Sequence, residues 1–177
     1  MTRVEVVQYN AETHSMAYYD MLVDYGLWLD GEVMKNFGEH RLKIDDKNLF
    51  KNVFKRFTSI KPPEGDIFIL EVDGEAAAMA RFSTLEEGIG EVNNVYTRPE
   101  FRRRGYTTRI MNTLEETARN YGFSILRLDT AGFNKPAQNL YKKLGYYEIE
   151  RYSKVDPTKS EAMQRYDIEK IYMEKKL

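Results

Sequence analysis

The residues best placed for chemistry lie in one basic stretch in the second half of the chain. Arg102, Arg103 and Arg104 follow a short apolar segment that ends at a proline, and Gly105 comes next, where a helical pattern begins. The first backbone amides of a helix have no partner within it and carry partial positive charge, so they can hold a phosphate. Glycine also lets a ligand approach the backbone closely. The stretch predicts a diphosphate site, with a solvated basic loop as the alternative on these residues alone.

Four polar residues around this stretch are candidates for acid–base or ligand-binding roles. Glu91 begins the strand that leads to the arginines, and Asp129 follows a later strand. Asn134 precedes a short helix, and Tyr141 lies on the apolar stripe of that helix. Three of them have an equally simple structural interpretation: a solvated hairpin residue for Glu91, a helix cap for Asn134 and a core side chain for Tyr141.

Composition argues against several other classes of site. The chain has no cysteine and only two histidines, His14 and His40, so we expect no disulfide, no cysteine nucleophile and no metal. A net charge of −1 gives no overall basic field, and nucleic acid is not favoured as a partner. No stretch approaches the roughly 20 apolar residues that span a bilayer. The N-terminus shows no apolar signal region, so we expect a cytoplasmic protein without membrane contact.

Alternating and helical apolar patterns predict the elements that position these residues. Strands are predicted over 4–9, 67–72, 76–84, 91–97, 124–128, 146–152 and 168–173. Helices are predicted over 12–29, from Asp45 or Asp46 through Phe57, over 105–121 and from Asn134 to Leu144. The order predicts a mixed α/β fold around one sheet, with 1–177 as a single domain.

Two of the predicted helices carry apolar stripes that should face the core. The stripe of the first comprises Met16, Tyr19, Val23 and Leu27. The stripe of the third comprises Ile110, Leu114, Ala118 and Tyr121. Residues 31–38 have no clear pattern, and 155–164 are predicted to form a loop.

Two motifs resemble those of the GNAT superfamily of acetyl-CoA-dependent N-acetyltransferases. The first, Arg102-Arg103-Arg104-Gly105-Tyr106-Thr107, is similar to the acyl-CoA signature Gln/Arg-x-x-Gly-x-Gly/Ala. The second comprises Leu128-Asp129-Thr130, Asn134, Ala137, Leu140-Tyr141 and Gly145-Tyr146. Tyr172-Met173-Glu174-Lys175 is similar to the family's closing strand, and the resemblance is good over 66–153. Thr107 stands where the family has glycine or alanine; it either crowds the diphosphate slightly or adds a hydroxyl donor.

The resemblance implies a specific architecture. We expect a GNAT-like α/β (α+β) fold with one mixed central sheet of about seven strands and about four helices. Two splayed strands would form an acetyl-CoA cleft, and the CoA-binding core would lie at about 66–153. The implied partners are acetyl-CoA and an amine, and the implied assembly is a monomer or a homodimer.

The resemblance also assigns the donor-binding residues. Val95, Tyr96 and Thr97 would pair with the pantetheine arm like an added strand. The diphosphate would be held by the backbone amides of Arg103, Arg104, Gly105, Tyr106, Thr107 and Thr108. Asn134 would contact the CoA arm through its side chain.

The implied mechanism is direct attack of a free amine on the acetyl carbonyl, without a covalent enzyme intermediate. Tyr141 would protonate the departing thiolate, and Glu91 would remove the proton from the amine, with Asp129 as the alternative carboxylate. A strand amide near Val95 would polarise the carbonyl. Positioning of the two substrates would supply most of the rate enhancement.

The expected function is therefore transfer of an acetyl group to a primary amine. The alternatives are a non-catalytic acyl-CoA sensor and an interaction domain without a CoA site. The acceptor stays open among peptide N-termini or lysines, polyamines, aminoglycoside antibiotics and small metabolites. In this superfamily the acceptor pocket is built by the N-terminal helices and a late loop, here about 12–58 and 153–166. The N-terminal segment holds aromatic residues (Tyr18, Tyr19, Tyr25, Trp28 and Phe37) and acidic residues (Asp20, Asp24, Asp30 and Glu32).

Overall fold

The structure, a computed structural model, describes residues 2–39, 48–152 and 169–177. Its strands are β1 (Val4–Gln8), β2 (Gly65–Val72), β3 (Glu75–Glu86), β4 (Ile89–Thr97), β5 (Ile125–Ala131), β6 (Tyr147–Ile149) and β7 (Lys170–Lys176). Its helices are α1 (Ala11–Phe37), α2 (Leu49–Thr58), α3 (Tyr106–Asn120) and α4 (Lys135–Lys143), with a 3-10 turn at Pro99–Phe101. The predicted mixed α/β fold is confirmed.

All of the described strands belong to one seven-stranded sheet in the order β1-β2-β3-β4-β5-β7-β6. Neighbouring strands are antiparallel except β4 and β5, which are parallel. A parallel pair needs a crossover connection, and α3 provides it between β4 and β5. The start of α3 therefore lies beside the end of β4.

The two parallel strands share only a short stretch of pairing. The paired residues are Ile89 with Ile125, Gly90 with Leu126, and Glu91 with Arg127. Beyond this point β4 stays with β3 as far as Thr97, and β5 stays with β7 as far as Ala131. The two strands consequently diverge and leave a wedge-shaped gap in the middle of the sheet. The predicted splayed strands are thus present.

A separate hydrophobic cluster covers each face of the sheet. On one face, α3 buries Ile110, Met111, Leu114 and Ala118 against β-strand residues that include Phe82, Val92 and Leu128. On the other face, α1 and α2 bury Tyr18, Met21, Leu22, Val53 and Phe57 against residues that include Ile69, Met79 and Tyr96. The stripe predicted for α3 is confirmed: Ile110, Leu114 and Ala118 are buried, and Tyr121 is partly buried against the same cluster. The gap between β4 and β5 is reached from both layers.

Helix α1 differs from its prediction in length and in buried face. It continues to Phe37 instead of ending at Leu29, and Gly38 caps it in the left-handed conformation with its N–H donating to the Met34 carbonyl. The predicted stripe is wrong: Met16 is 78% exposed and Leu27 is 44% exposed. The buried residues of the helix are His14, Tyr18, Met21, Leu22, Asp30 and Val33. Two of these are polar, so apolar periodicity alone selects the wrong side of the helix.

His14 shows how a polar residue fits on this buried face. Its Nδ1 accepts from the Asn10 N–H at 2.8 Å, and its Nε2 lies 3.1 Å from Glu71 Oε1. Because Nδ1 accepts, the ring hydrogen is on Nε2 and points at the Glu71 carboxylate. The histidine therefore joins α1 to β2.

Several element boundaries also differ from the sequence predictions. Strand β6 covers only Tyr147–Ile149 rather than 146–152, and β7 begins at Lys170 rather than Ile168. The predicted start of the second helix at Asp45 or Asp46, the predicted loop 155–164 and Ile168 lie outside the described residues. Helical spacing in the second helix is confirmed, with Val53 and Phe57 buried.

Substitution of Gly65 tests the pairing of β2 with β3. A Cβ at this position would collide with the Phe82 carbonyl oxygen and lie 2.9 Å from Ser83 Cα. We expect Gly65→Ala to lower the free energy of unfolding by about 1–3 kcal/mol. Gly31→Ala is the matched control, because its Cβ would meet no atom within 4 Å inside α1; it should raise stability by about 0.5–1 kcal/mol. Equal effects in denaturant unfolding would contradict the strand packing described here.

Candidate active site

A cleft of about 620 Å³ occupies the gap between the diverging strands. Its walls combine residues from both layers of the fold: Tyr25, Trp28, Leu29 and Glu32 of α1; residues 92–97 of β4; Arg102, Arg103 and Thr107 at the start of α3; Asp129, Thr130 and Ala131 of β5; Phe133, Asn134, Pro136, Ala137, Leu140 and Tyr141 around α4; and Lys170 of β7. The cleft thus passes through the sheet. A volume of this size suits a small-molecule ligand.

A β-bulge shapes the β4 side of the cleft. Asn94 has a positive φ of 53°, and the register with β3 shifts between Met79 and Arg81. The extra residue changes the alternation, so that Val95 packs against the α3 cluster while Tyr96 packs against the α1 cluster. Bulges rotate a strand end in this way and often lie next to binding sites. The three predicted donor-binding residues Val95, Tyr96 and Thr97 all line the cleft.

The basic loop lies at the end of β4 and leads into α3. Arg103 and Gly105 both have positive φ, 62° and 76°, and Gly105 is the N-cap of the helix. Within the described part of the chain, no side chain caps the start of α3. The amides of its first turn are consequently available, next to three exposed arginines, for an anion. Arg103 and Thr107 line the cleft, whereas Arg104, Gly105, Tyr106 and Thr108 are not among its described lining.

Two contacts fix this loop against the end of β4. Arg102 donates from Nε to the Thr97 carbonyl oxygen at 3.0 Å, and its guanidinium lies 5.7 Å from the centre of the Tyr96 ring. The Thr107 hydroxyl lies 2.9 Å from the Thr97 hydroxyl, so the two exchange a hydrogen bond. The threonine that departs from the family signature therefore joins the first turn of α3 to the strand that precedes it.

Asn134 lines the cleft and is also the N-cap of α4. Its Oδ1 accepts from the Ala137 N–H at 3.4 Å. Asn134 therefore caps α4, as the simpler interpretation predicted. It also lines the cleft in which it would bind the CoA arm. The two roles are compatible, because the cap uses the oxygen and leaves the Nδ2 donors for other acceptors.

Tyr141 is placed between core and cleft. It is 7% exposed, its ring lies 5.8 Å from that of Tyr146, and it also lines the cleft. Burial raises the pKa of the Tyr141 hydroxyl, and the nearby Tyr25 and Asp129 raise it further. The phenol therefore stays protonated across the neutral pH range. Tyr25 and Asp129 line the same cleft as Tyr141.

Glu91 lies behind the cleft wall. Its side chain is fully buried, at the last position where β4 pairs with β5. The Tyr152 hydroxyl donates to its Oε1 at 2.7 Å, and Asn93 Nδ2 lies 3.3 Å from its Oε2. Burial and the Glu91 charge raise the pKa of Tyr152, which keeps that phenol a donor. Asn93 lines the cleft and Glu91 does not, so Glu91 reaches the cleft only through a neighbouring group.

Asp129 is the carboxylate that lines the cleft directly. It is partly exposed at the end of β5, and the Lys170 ammonium on β7 lies 3.3 Å from its Oδ2. Sequence reasoning named this residue only as an alternative to Glu91. The point at which β4 and β5 separate decides which carboxylate faces the gap, and strand periodicity does not reveal that point.

The resemblance implied that the N-terminal helices contribute to a pocket, and α1 does line the cleft, although core packing was the default interpretation of its aromatic residues. Tyr25 and Trp28 stack with ring centres 6.0 Å apart at an interplanar angle of 21°, and Tyr25 also packs 5.8 Å from Tyr96. At the end of the helix, the Phe37 ring lies 6.4 Å from that of Phe133, which lines the cleft. The run of aromatic residues in α1 was the available signal, but core packing explained it equally well.

The described residues hold no group of acidic, histidine or cysteine side chains arranged to bind a metal ion. A search of the same residues for a helix of the length and apolar character that crossing a bilayer requires finds none.

The sequence profile of the Acetyltransferase (GNAT) family matches residues 28–146. An uncharacterized N-acetyltransferase of Methanocaldococcus jannaschii is 31% identical over 97 residues, 51% of this chain and 43% of the relative. Thialysine N-epsilon-acetyltransferase of Mus musculus is 38% identical over 58 residues, 33% of this chain and 34% of the relative. The chain thus spans less than half the length of these relatives. PaiA N-acetyltransferase of Thermoplasma acidophilum, solved in complex with coenzyme A, superposes with a TM-score of 0.69 at 15% identity over 99% of both chains.

Proposed function

This chain belongs to the GNAT acetyltransferase family, and from that membership we propose that it transfers the acetyl group of acetyl-CoA to a primary amine. The observation that carries the proposal is the cleft between the diverging strands β4 and β5, which ends at the uncapped start of α3. An edge of strand and a helix start are what a pantetheine arm and a diphosphate require.

The donor lies along β4 in this proposal. The pantetheine amides pair with the free edge at Val95, Tyr96 and Thr97, because β5 has already diverged there. The diphosphate binds the amides from Arg103 through Thr108, with the exposed arginine side chains adding positive charge. Asn134 on the opposite wall donates from its side-chain amide to the arm. Support for this placement comes from Arg103, Thr107 and Asn134, which share the cleft with β4.

The chemical step is a direct transfer between two bound substrates. The amine nitrogen attacks the acetyl carbonyl carbon, a C–N bond forms and the C–S bond breaks. The nitrogen loses one proton to a base, and the departing thiolate gains one from an acid. A β4 amide near Val95 donates to the carbonyl oxygen as negative charge develops there. Bringing the substrates together in the gap accounts for most of the rate enhancement.

Tyr141 is the proposed acid. Its hydroxyl is protonated throughout the neutral range because burial raises its pKa. A raised pKa also makes it a weaker acid than an alkyl thiol, whose pKa is about 8.5. Tyr141 is thus best suited to donate a strong hydrogen bond to the sulfur as charge builds, because full transfer of its proton to the thiolate is uphill.

Two carboxylates are proposed as bases for the amine, one in direct contact with it and one acting indirectly. Asp129 lines the cleft and can contact an ammonium group directly. Glu91 is buried beside Asn93 and would act through a water molecule. We assign most of the proton removal to Asp129 and propose Glu91 as a base that acts only indirectly.

Binding of acetyl-CoA tests the donor site. At about one hundred times its dissociation constant it should stabilise the fold by about 2.7 kcal/mol, seen as a rise in melting temperature. Gly105→Ala should weaken CoA binding at least about tenfold, because a side chain distorts the amides that hold the diphosphate. Gly122→Ala is the matched control: it also has positive φ, at the other end of α3, and should cost similar stability without changing CoA affinity. No shift with millimolar acetyl-CoA would refute both the enzyme and the acyl-CoA sensor.

Replacement of Tyr141 by phenylalanine tests the acid role and separates an enzyme from a sensor. The ring and its contact with Tyr146 remain, so stability and CoA affinity should change little. Turnover should fall by about 10²-fold. Because the Tyr141 pKa is raised, the wild-type rate should show no loss from tyrosine ionisation up to about pH 10, the ordinary tyrosine pKa. Full turnover in the variant, with chemistry limiting the rate, would make Tyr141 a core residue only.

Paired carboxamide variants separate the two carboxylates. Asp129→Asn should reduce turnover most at low pH, where the acceptor amine is protonated, and should recover as rising pH supplies free amine. Glu91→Gln should show the same trend with a smaller loss, and Glu87→Gln, an exposed hairpin residue, should keep the wild-type pH–rate profile. The reverse order of losses would assign the base to Glu91.

A further inference from the structure

We propose that the acceptor side of the cleft selects a primary amine carried on a compact aromatic or apolar body that bears no carboxylate, an arylalkylamine being the type case. This inference rests on the proposed function and adds the class of acceptor. It is argued from the α1 wall of the cleft, which the family motifs do not include.

The amine end is fixed by three polar side chains. Asp129 from β5, Tyr141 from α4 and Tyr25 from α1 line the same cleft, and both Tyr25 and Asp129 act electrostatically on the Tyr141 hydroxyl. A carboxylate with aromatic faces beside it is the arrangement that binds an ammonium group. The attacking nitrogen is thereby placed next to the proposed acid.

The body of the acceptor faces hydrocarbon and rings. One turn along α1 from Tyr25, the Trp28 indole and the Leu29 side chain line the cleft, and Phe133 from the loop before α4 lines it too. Trp28 is held in place by its stack on Tyr25, and Phe133 by its contact with Phe37. A ring or short apolar chain between these side chains would remove their surfaces from water, which is favourable by about 25 cal/mol per Å².

Charge near this wall disfavours the two main competitors. The acidic residues of α1 that would suit a polyamine do not surround the cleft: Asp20 and Asp24 are exposed and line a separate surface groove, and Asp30 is 1% exposed within α1. Glu32 lines the cleft, but Lys35 contacts its carboxylate at 2.6 Å. An acceptor with an α-carboxylate would bring a negative charge beside Asp129, whose nearby cation Lys170 is already engaged.

A matched panel of acceptors tests the inference. Phenylethylamine and phenylalanine share a body and differ by the carboxylate, and spermidine and lysine represent the polyamine and amino-acid classes. We expect kcat/KM for phenylethylamine to exceed that of each of the others by at least about tenfold. Efficient transfer to spermidine, lysine or phenylalanine, at or above the phenylethylamine value, would overturn the inference and leave the acetyltransferase assignment intact.

The aromatic wall is tested by substitution of Trp28. Trp28→Ala should lower kcat/KM for phenylethylamine by at least about tenfold, mainly through KM, and leave the affinity for CoA unchanged. Met16→Ala is the control, because Met16 is on the same helix, is 78% exposed and lies away from the cleft. Equal kcat/KM in the two variants would show that the aromatic wall does not bind the acceptor.

Trp28 also supplies a readout that needs no turnover. It is the only tryptophan of the chain, so indole fluorescence reports on this wall alone. With CoA bound, phenylethylamine should change the fluorescence saturably, and spermidine should not at the same concentration. Fluorescence unchanged by phenylethylamine in a protein that binds CoA and acetylates another amine refutes the inference, whereas absence of CoA binding refutes the proposed function.

Discussion

The site depends on a single constraint: β4 and β5 are adjacent and parallel, yet they share only three residue pairs before they separate. Each strand keeps its other neighbour, so the sheet opens without losing strands. The opening exposes an edge of β4 inside the molecule, where a strand edge is ordinarily at the rim. The start of α3, the α4 cap and the aromatic part of α1 all gain their relevance from lying around this opening.

The basic loop at the start of α3 could be predicted from the sequence, and the choice of α1 side chains that face the cleft could not. Backbone amides at a helix start need only a glycine, a preceding proline and basic residues, and such signals are local. Packing against the sheet decides which face of α1 is buried. Because that face includes the polar residues His14 and Asp30, apolar spacing does not identify it. Likewise, alternation identified β4 but not the bulge at Asn94 or the point of divergence, and the preference for Glu91 over Asp129 came from the family resemblance.

The two ends of the cleft differ in chemistry. One end offers amides and arginine side chains beside a helix start, which favour anions. The other offers the Asp129 carboxylate, phenol groups and the Trp28 indole, which favour a cation on an apolar body. Tyr141 lies where these environments meet, and its burial against Tyr146 gives it a fixed position there. In the proposed function, these opposite charge preferences orient the two substrates towards each other.

The passage through the sheet also bears on the order of events in a catalytic cycle. Its walls come from α1 on one face and from α3 and α4 on the other, so in the proposed function acetyl-CoA and the amine can approach from opposite faces of the sheet. Neither molecule has to pass the other, and the first to arrive does not seal the route of the second. The contact between the Phe37 and Phe133 rings joins the end of α1 to the loop before α4, so it holds together two parts of the wall that the proposed function gives to the acceptor.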